Sequence, residues 1–364
     1  MISQPGEGKG KLIMEFVGRR RKLAKSLRRK KFGCILIGKK ENIFYLTGLD
    51  IDGVLLSVSD TGIATIFSGP LYKLELSLDA TRDINYRIYE NRKIPFFEFV
   101  SGHLKKESLG KKAIEDSFSF HSVLKFKKYF PHLKSIHHAI EDIREIKEAN
   151  EINLIKKAAR IGHLALKYIR LKLKAKETEE DIAQKIEKFV LERWPSKASL
   201  GFKTLVTSGP RLAIPHGLPT SKRIKKSECV LVDLGVKIFG YNSDLTRMLS
   251  VGRISNNSKK IIRIVHDAQR FAIEKVRPGI KASVIDKAAR DFISKKGYAK
   301  FFIHGVGHGI GLEVHERPVI SASSKENLKT GMIFTIEPGI YIPGEGGARV
   351  EDMLLVTEKG FLVL

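Results

Sequence analysis

Residues 230–247 read VLVDLGVKIFGYNSDLTR, and residues 333–353 read IFTIEPGIYIPGEGGARVEDM. Each stretch has an apolar run, an acid, a glycine-containing middle and a second acid before more apolar residues. Apolar runs interrupted by turn residues predict a strand-turn-strand element. Each predicted element therefore carries two carboxylates, Asp233 and Asp244 in the first and Glu337 and Glu351 in the second.

Residues 303–316, IHGVGHGIGLEVHE, lie between these elements and place His308 among glycines. Four carboxylates that converge in a core repel one another unless a cation neutralises them. Carboxylate oxygens with one imidazole suit two divalent ions such as Mn²⁺, Co²⁺, Fe²⁺ or Zn²⁺. Two ions about 4 Å apart can share a bridging water and lower its pKa. Any one acid alone could equally be a turn residue or a salt-bridge partner, but the set predicts a dinuclear centre.

The chain has 364 residues, which suits two domains rather than one. We place the boundary between residues 1–140 and 141–364. Strands that alternate with helices predict an α/β layer domain for the first part. In the second part, periodic apolar residues and capping signals predict helices at 147–173, 178–194, 258–276 and 283–297. Residues 141–250 and 255–364 share an order of two helices, a histidine loop and a carboxylate element, which we interpret as an internal duplication.

The composition of the chain bears on its expected cellular location. No apolar run approaches the roughly 20 residues that span a bilayer, and the first residues lack the apolar core of a signal peptide. Cys34 and Cys229 lie in apolar strand-like runs and are expected to be buried free thiols. We therefore expect a cytoplasmic protein without a membrane partner.

The net charge of +26 raises nucleic acid as a partner. The densest basic run, residues 19–31, contains Leu23 and Leu27 at helical spacing, which predicts a helix with a solvated basic face. No zinc-finger spacing or RNA-recognition motif accompanies this run. A nucleic-acid partner is therefore not favoured, although the charge does not exclude one.

The adjacent His137 and His138 are interpreted as structural, because neighbouring residues point apart on a strand or helix.

The set Asp233, Asp244, His308, Glu337 and Glu351 resembles, in identity, order and spacing, the five metal ligands of the pita-bread dinuclear metallopeptidases. That family includes methionine aminopeptidase, prolidase (Xaa-Pro dipeptidase) and Xaa-Pro aminopeptidase. The phrases SDLTR, HGVGHGIGLEVHE, EPGIY and RVED also match, so that the resemblance covers residues 141–364. Residues 27–33 and 42–48 resemble the smaller domain of prolidase, Xaa-Pro aminopeptidase and creatinase. The resemblance thus implies an α/β (α+β) chain, a creatinase-like domain followed by a pita-bread catalytic domain.

The resemblance also implies roles for individual residues. Asp233 holds one metal, His308 and Glu337 hold the other, and Asp244 and Glu351 bridge the pair. Glu337 also relays a proton to the leaving nitrogen. The remaining site residues are expected to bind substrate and stabilise the oxyanion, with Arg349 fixing His315 or the substrate's carboxyl end; they are His216, His304, His315 and Arg349. We expect Arg247 to be a structural partner of the acids.

The implied activity is hydrolysis of the Xaa-Pro bond, in dipeptides or at the amino terminus of longer peptides, by a hydroxide that bridges two divalent metals. Four carboxylates and one histidine without a thiolate favour Mn²⁺, with Co²⁺, Fe²⁺ or Zn²⁺ as alternatives. The resemblance further implies a homodimer. Two other functions stay open: a methionine-type aminopeptidase, and a nucleic-acid- or ribosome-binding module on the same fold. The preferred peptide length and the physiological substrate stay open as well.

Overall fold

The computed structural model describes residues 7–78, 83–90, 93–107 and 110–364. The chain divides into two compact units, Met1–Arg144 and Glu145–Leu364. None of the helices in these described ranges combines the length and apolarity that crossing a membrane requires. The elements of the first unit are α1 (Glu7–Arg29), β1 (Cys34–Ile37), α2 (Lys40–Thr47), β2 (Leu55–Ser59), β3 (Ala64–Ser68), α3 (Lys73–Leu78), β4 (Ile84–Ile88), α4 (Phe96–Lys106), β5 (Lys112–Glu115), α5 (Phe120–Lys127), β6 (Lys134–Ile136) and α6 (Glu141–Arg144).

The second unit has four long helices and thirteen short strands among its described residues. Its elements are α7 (Ala149–Lys172), α8 (Glu179–Arg193), β7 (Ser199–Leu200), β8 (Leu205–Ser208), β9 (Cys229–Leu234), β10 (Val236–Ile238), β11 (Tyr241–Asn242), β12 (Leu245–Ser250), α9 (Asn256–Ile273), α10 (Ala282–Lys295), β13 (Gly307–Gly309), β14 (Glu316–Ile320), β15 (Ile333–Ile336), β16 (Gly339–Ile342), β17 (Gly346–Arg349), β18 (Asp352–Thr357) and β19 (Gly360–Val363). The four helices predicted here are confirmed to within three residues at each end. The mixed α/β (α+β) class predicted from the sequence is also confirmed.

The first unit is built on a six-stranded sheet in the order β4-β3-β2-β1-β5-β6. Strands β1, β5 and β6 are parallel neighbours, whereas β2 runs antiparallel to β1. Buried apolar residues of the sheet, including Leu36, Phe67 and Ile114, pack with Leu104 of α4 and Phe126 of α5. Because parallel strands end at the same edge, the residues that follow β5 and β6 lie side by side.

Helix α1 confirms the helix predicted for the basic run but corrects its solvated face. Arg19 and Arg20 are buried, and their Nη1 atoms donate to the carbonyls of Tyr45 (3.0 Å) and Leu46 (2.7 Å) in α2. The predicted solvated face therefore begins only at Arg21. Part of the positive charge anchors one helix to the next and is not available to a partner.

The two adjacent histidines also differ from their prediction. The Nδ1 atoms of His137 and His138 do not diverge; they lie 3.1 and 3.7 Å from Oδ2 of Asp116. His138 has a φ of 52°, which turns the backbone between the two rings. The expectation that neighbouring side chains point apart holds for regular strands and helices, and His138 belongs to neither.

Two large hydrophobic cores occur in the second unit, together with a small cluster of Leu212, Cys229 and Leu231. Helices α7 and α8 pack with the strands around β9, and helices α9 and α10 pack with the strands around β15. Each set contains two helices followed by paired strands, which is the order expected for a duplication.

Each carboxylate stretch folds as two nested strand pairs, an inner pair within an outer pair, rather than as a single hairpin. In the first, β9 pairs with β12 and β10 pairs with β11; in the second, β15 pairs with β18 and β16 pairs with β17. All four acids lie at or beside the junctions between the outer and inner pairs. At such a junction the chain leaves one ladder for the next, so that each carboxylate projects where strands diverge.

Candidate metal centre

The first acid of each carboxylate stretch has a nitrogen partner in the protein. Oδ2 of Asp233 lies 2.6 Å from Nη2 of Arg349, and Oε1 of Glu337 lies 3.2 Å from Nε2 of His308. Arg349 is buried, so its charge acts on Asp233 with little screening from water. The charge of Asp233 is therefore compensated in part within the protein, and Glu337 is held by an imidazole.

The second acid of each stretch lacks such a partner. Glu351 accepts one neutral hydrogen bond, 2.7 Å from Oγ1 of Thr246 to its Oε2, and Oδ2 of Asp244 lies 3.8 Å from Nε2 of His308. Oδ1 of Asp244, Oε1 of Glu351 and Oδ1 of Asp233 are buried and have no hydrogen-bond partner in the described part of the chain. Three unsatisfied buried carboxylate oxygens in one place are costly unless a cation binds them.

The protonation equilibria follow from these partners. Burial raises the pKa of Asp244 and Glu351 well above the ordinary range, and the charges of neighbouring acids raise it further. Burial also raises the pKa of Asp233, although the charge of Arg349 opposes the rise. Burial opposes ionisation of Glu337 too, but the hydrogen bond and charge of His308, with the charge of Arg349, outweigh it and lower its pKa to about 2.

These residues fit a divalent cation. One ligand atom from each of Asp244, His308 and Glu351 lies within 4.8 Å of those of the other two. A cation placed among them meets the unpartnered oxygens and removes the repulsion that raises the pKa of Asp244 and Glu351. Glu337 lies beside the same group, with its Oε1 3.2 Å from Nε2 of His308. Asp233 lies close enough to Asp244 for its charge to raise the pKa of Asp244. The structure thus brings together all five residues predicted as metal ligands.

The glycines beside His308 allow its backbone to enter the sheet. A Cβ atom on Gly307 would lie 1.9 Å from the carbonyl oxygen of Thr335, and one on Gly309 would lie 2.1 Å from that of Arg317. The backbone N–H of His308 donates to Oγ1 of Thr335 at 3.1 Å. Strand β13 can therefore pack between β14 and β15 and aim the imidazole at the acids.

Arg349 connects four parts of the centre. Besides Asp233, its side chain donates to the carbonyl of Pro215 (2.8 Å), the hydroxyl of Tyr341 (3.1 Å) and Oγ1 of Thr246 (3.3 Å). Arg349 was expected to fix His315 or the substrate's carboxyl end; its hydrogen bonds in the structure go to these other groups and not to His315. A guanidinium with several donors suits this connecting position.

His304 is held within the protein by both ring nitrogens. Nδ1 lies 2.7 Å from the carbonyl of Gly305, and Nε2 lies 2.9 Å from the hydroxyl of Tyr341. Because Tyr341 accepts from Arg349, its own proton goes to Nε2, and Nδ1 of His304 carries the ring proton. Burial lowers the pKa of His304, which agrees with a neutral ring.

His216 and His315 are the two predicted site histidines with exposed side chains. The ring centroid of His315 lies 4.2 Å from that of His308. His216 follows Pro215, whose carbonyl is bound by Arg349, and its charge would lower the pKa of both His304 and His315. The two exposed rings therefore lie near the histidines of the centre, His315 beside His308 and His216 close enough to His304 and His315 to affect their pKa.

Sequence analysis missed Tyr341 and Thr246, which orient His304, Arg349 and Glu351. A signal existed, because residues two apart on a strand share a face: Tyr341 is four residues after Glu337, and Thr246 is two after Asp244. Asp286 has no such signal. Asp286, which is buried in α10, accepts a hydrogen bond from the backbone N–H of Val306. Arg290 of the same helix donates to its other oxygen and fixes the orientation of the carboxylate.

Arg247 behaves as expected of a structural partner. Its Nη1 donates to the carbonyl of Glu351, and its Nη2 bonds to Oδ1 of Asp352. Arg247 therefore fixes the backbone that carries Glu351 and does not touch the carboxylate itself.

Comparison with known proteins agrees with this geometry. Residues 153–358 match the model of metallopeptidase family M24, and residues 19–146 match the creatinase/prolidase N-terminal domain. The chain is 35% identical to an Xaa-Pro dipeptidase of Pyrococcus horikoshii, over 93% of this chain and 94% of the relative. It is 36% identical to an Xaa-Pro dipeptidase of Pyrococcus furiosus, over 93% and 95%.

Solved structures give the same result. The Xaa-Pro dipeptidase from Bacillus anthracis superposes with a TM-score of 0.88 at 30% identity, covering 96% of this chain and 97% of the other. The predicted resemblance to the prolidase branch and the predicted order of a creatinase-like and a pita-bread domain are confirmed. The chain belongs to metallopeptidase family M24, with an N-terminal domain of the creatinase/prolidase type.

Proposed function

We propose that this metallopeptidase hydrolyses the Xaa-Pro bond of dipeptides, with Asp233, Asp244, His308, Glu337 and Glu351 as the ligands of two divalent ions. The observation that carries the proposal is the set of unpartnered, buried carboxylate oxygens on Asp233, Asp244 and Glu351. The full-length similarity to two Xaa-Pro dipeptidases supports the substrate class. A methionine-type aminopeptidase and a nucleic-acid-binding module are not favoured by these relatives.

The chemistry of the substrate explains why a dedicated site is needed. A bond before proline is a tertiary amide, without an N–H and with a fixed φ. Its leaving nitrogen must gain a proton as the bond breaks. Bound divalent ions supply a Lewis acid and lower the pKa of water at the site.

Glu337 is the proposed proton carrier. Its Oε1 lies 3.2 Å from Nε2 of His308, which holds the carboxylate at the centre. An ionised carboxylate next to the reacting carbonyl can accept a proton from the attacking water and give it to the proline nitrogen. Thr335, whose hydroxyl lies 3.4 Å from Oε1 of Glu337, limits the orientation of that carboxylate.

His216 and His315 are the proposed contacts to substrate. Both are exposed beside the acids, whereas both ring nitrogens of His304 are engaged by Gly305 and Tyr341. An exposed imidazole N–H can bind the substrate carboxylate or the developing oxyanion. His304 and Arg349 therefore act through Tyr341, Asp233 and the loop of His216, as positioning residues.

Four carboxylates and one imidazole favour Mn²⁺ as the native ion, because oxygen ligands without thiolate suit this metal.

We further propose a homodimer, which rests on the family resemblance and is tested by light scattering. A cytoplasmic location is proposed as well. It is supported by Cys34 and Cys229, which are both free and buried.

The test is hydrolysis of Leu-Pro, Leu-Pro-Gly and Leu-Gly by the purified chain with Mn²⁺, with and without a chelator. We expect chelator-sensitive cleavage of Leu-Pro above that of the other two. Glu337→Gln should abolish it, whereas Glu345→Gln, an exposed carboxylate in the turn between β16 and β17, should not. Preference for Leu-Pro-Gly would replace the dipeptidase by an aminopeptidase, and cleavage of neither proline peptide would refute the proposal.

The alternatives are tested with the same preparations. Faster cleavage of Met-Ala-Ser than of Leu-Pro would favour the methionine-type aminopeptidase. Salt-sensitive binding of RNA by chains that cleave no peptide would favour the binding module.

A further inference from the structure

We propose that the N-terminal unit contains a separate binding site for one divalent transition-metal ion, formed by Asp116, His138 and Glu141, with His137 beside it. One ligand atom from each of the first three residues lies within 4.8 Å of those of the other two. The proposal concerns residues outside the peptidase centre and does not rest on the proposed peptidase function.

The site lies where the sheet of the first unit ends. Asp116 follows β5 and His137 follows β6, and these strands are parallel, with Glu115 paired to Ile136. Their side chains therefore emerge next to each other at the carboxyl edge of the sheet, where α/β domains commonly bind ligands. Glu141 begins α6 four residues after His137 and closes the group.

The ligand types and spacings suit zinc. Two carboxylates with one or two imidazoles form tetrahedral Zn²⁺ sites, with metal–ligand distances of about 2.0–2.2 Å. Neighbouring corners of such a tetrahedron are about 3.3–3.5 Å apart, by the same geometry. Nδ1 of His137 and Nδ1 of His138 lie 3.1 and 3.7 Å from Oδ2 of Asp116, which brackets that value.

Glu141 supplies an independent observation. Its Oε2 is buried without a hydrogen-bond partner among the described residues, and the side chain as a whole is 13% exposed. Its other oxygen accepts from Nδ2 of Asn42 at 2.8 Å, and Arg144 in turn donates to Oδ1 of Asn42 at 2.8 Å. Such outer hydrogen bonds fix a ligand carboxylate in place and leave one oxygen for the ion.

His138 is held in the left-handed region, at a φ of 52°, which non-glycine residues rarely adopt. Its backbone N–H donates to Oδ2 of Asp116 at 3.2 Å. This turn is what brings the second imidazole back to the carboxylate. The two negative charges of Asp116 and Glu141 match the charge of a divalent ion, while Nζ of Lys39 lies 3.8 Å from the other, hydrogen-bonded oxygen of Glu141.

The test counts Zn²⁺ per chain by mass spectrometry after dialysis of the full-length protein against micromolar Zn²⁺. We expect three ions in the wild type and two in both His138→Asn and Asp116→Asn. Asparagine tolerates a positive φ, so His138→Asn retains the backbone turn. His132→Asn changes an exposed histidine elsewhere in the same unit and should retain three ions.

The second measurement is the absorption spectrum after Co²⁺ loading, which reports the coordination of the third ion and does not depend on peptidase activity. We expect the spectrum of His138→Asn to lose one component that His132→Asn retains. An equal number of ions in the wild type and in His138→Asn would overturn the proposal, whatever number the peptidase centre binds. A third ion retained in His138→Asn, or lost equally in His132→Asn, would overturn it as well.

Discussion

The two carboxylate stretches of the catalytic unit differ within themselves in the same way. In each, the first acid has a nitrogen partner in the protein: Arg349 for Asp233 and His308 for Glu337. In each, the second acid, Asp244 or Glu351, keeps an unpartnered buried oxygen and a pKa well above the ordinary range. The protein thus holds the first acid of each stretch by a partner of its own, whereas the second acid depends more on the metal ions.

The comparison predicts the largest effect for the second acids. Glu351→Gln retains the shape of the side chain and its bond to Thr246 but lowers the attraction for a cation. Because the ions contribute several kcal/mol to transition-state stabilisation, we expect kcat/KM for Leu-Pro to fall about a thousandfold. Steady-state kinetics with saturating Mn²⁺ measures the loss, and Glu345→Gln is the matched control. A loss of less than tenfold would show that Glu351 is not needed for the ions.

Among the first acids, Asp233 should respond to loss of the guanidinium of Arg349 instead. Arg349→Met removes the charge beside Asp233 and leaves a buried carboxylate uncompensated, together with the freed hydroxyl of Tyr341. Breaking a buried pair in this way costs about 3–5 kcal/mol. Urea unfolding of the metal-free variant measures this loss. An unfolding free energy equal to that of the wild type would mean that Arg349 does not compensate Asp233.

A smaller effect is expected for Tyr341→Phe, which removes one hydroxyl and leaves the ring in place. The hydroxyl bonds both His304 and Arg349, so these two side chains lose their common partner. Removing an outer partner of a metal site costs about 10- to 100-fold in activity or metal affinity. We expect a fall in kcat at unchanged metal content, which separates this positioning role from ligand loss. An unchanged kcat would contradict the role.

The smallest effect concerns pH in the absence of metal. The pKa of Glu351 is raised in the folded chain above its unfolded value, so the folded chain retains a proton that the unfolded chain releases. The unfolding free energy of metal-free protein therefore falls as pH rises through the range between the unfolded and folded pKa values. Glu351→Gln has no such proton, so its unfolding free energy should depend less on pH.

Urea unfolding in chelator at several pH values above about 4.5 checks this difference, and added Mn²⁺ should remove it in the wild type. Equal pH dependence of both proteins would contradict the raised pKa of Glu351.

Much of this arrangement was predictable from the sequence, for identifiable reasons. The four long helices of the catalytic unit follow from apolar periodicity and capping residues; for example, Thr178 and Asp181 form a reciprocal capping box at the start of α8. The five clustered side chains followed from acids in apolar runs and from a family resemblance. Local signals of this kind depend on residues close in sequence, which the chain displays directly.

The rest depends on contacts between distant residues. Arg19 and Arg20 looked solvated because helical spacing gives no information about α2, to whose carbonyls they bond. Arg349 was expected to fix His315 or the substrate's carboxyl end, whereas its partners Asp233 and Pro215 lie 116 and 134 residues away along the chain. His137 and His138 converge on Asp116 because of one backbone turn at a positive φ. Pairing of this type is set by the tertiary structure and has no short-range pattern.

The most direct test of the account is an anomalous-difference map from crystals of the chain soaked in Mn²⁺. We expect two peaks in the catalytic unit, each in contact with oxygens of both Asp244 and Glu351, since each of these acids keeps one buried oxygen without a hydrogen-bond partner. Peaks that contact only Asp233 and Glu337, or no peaks beside these four acids, would contradict the greater dependence of Asp244 and Glu351 on the metal ions.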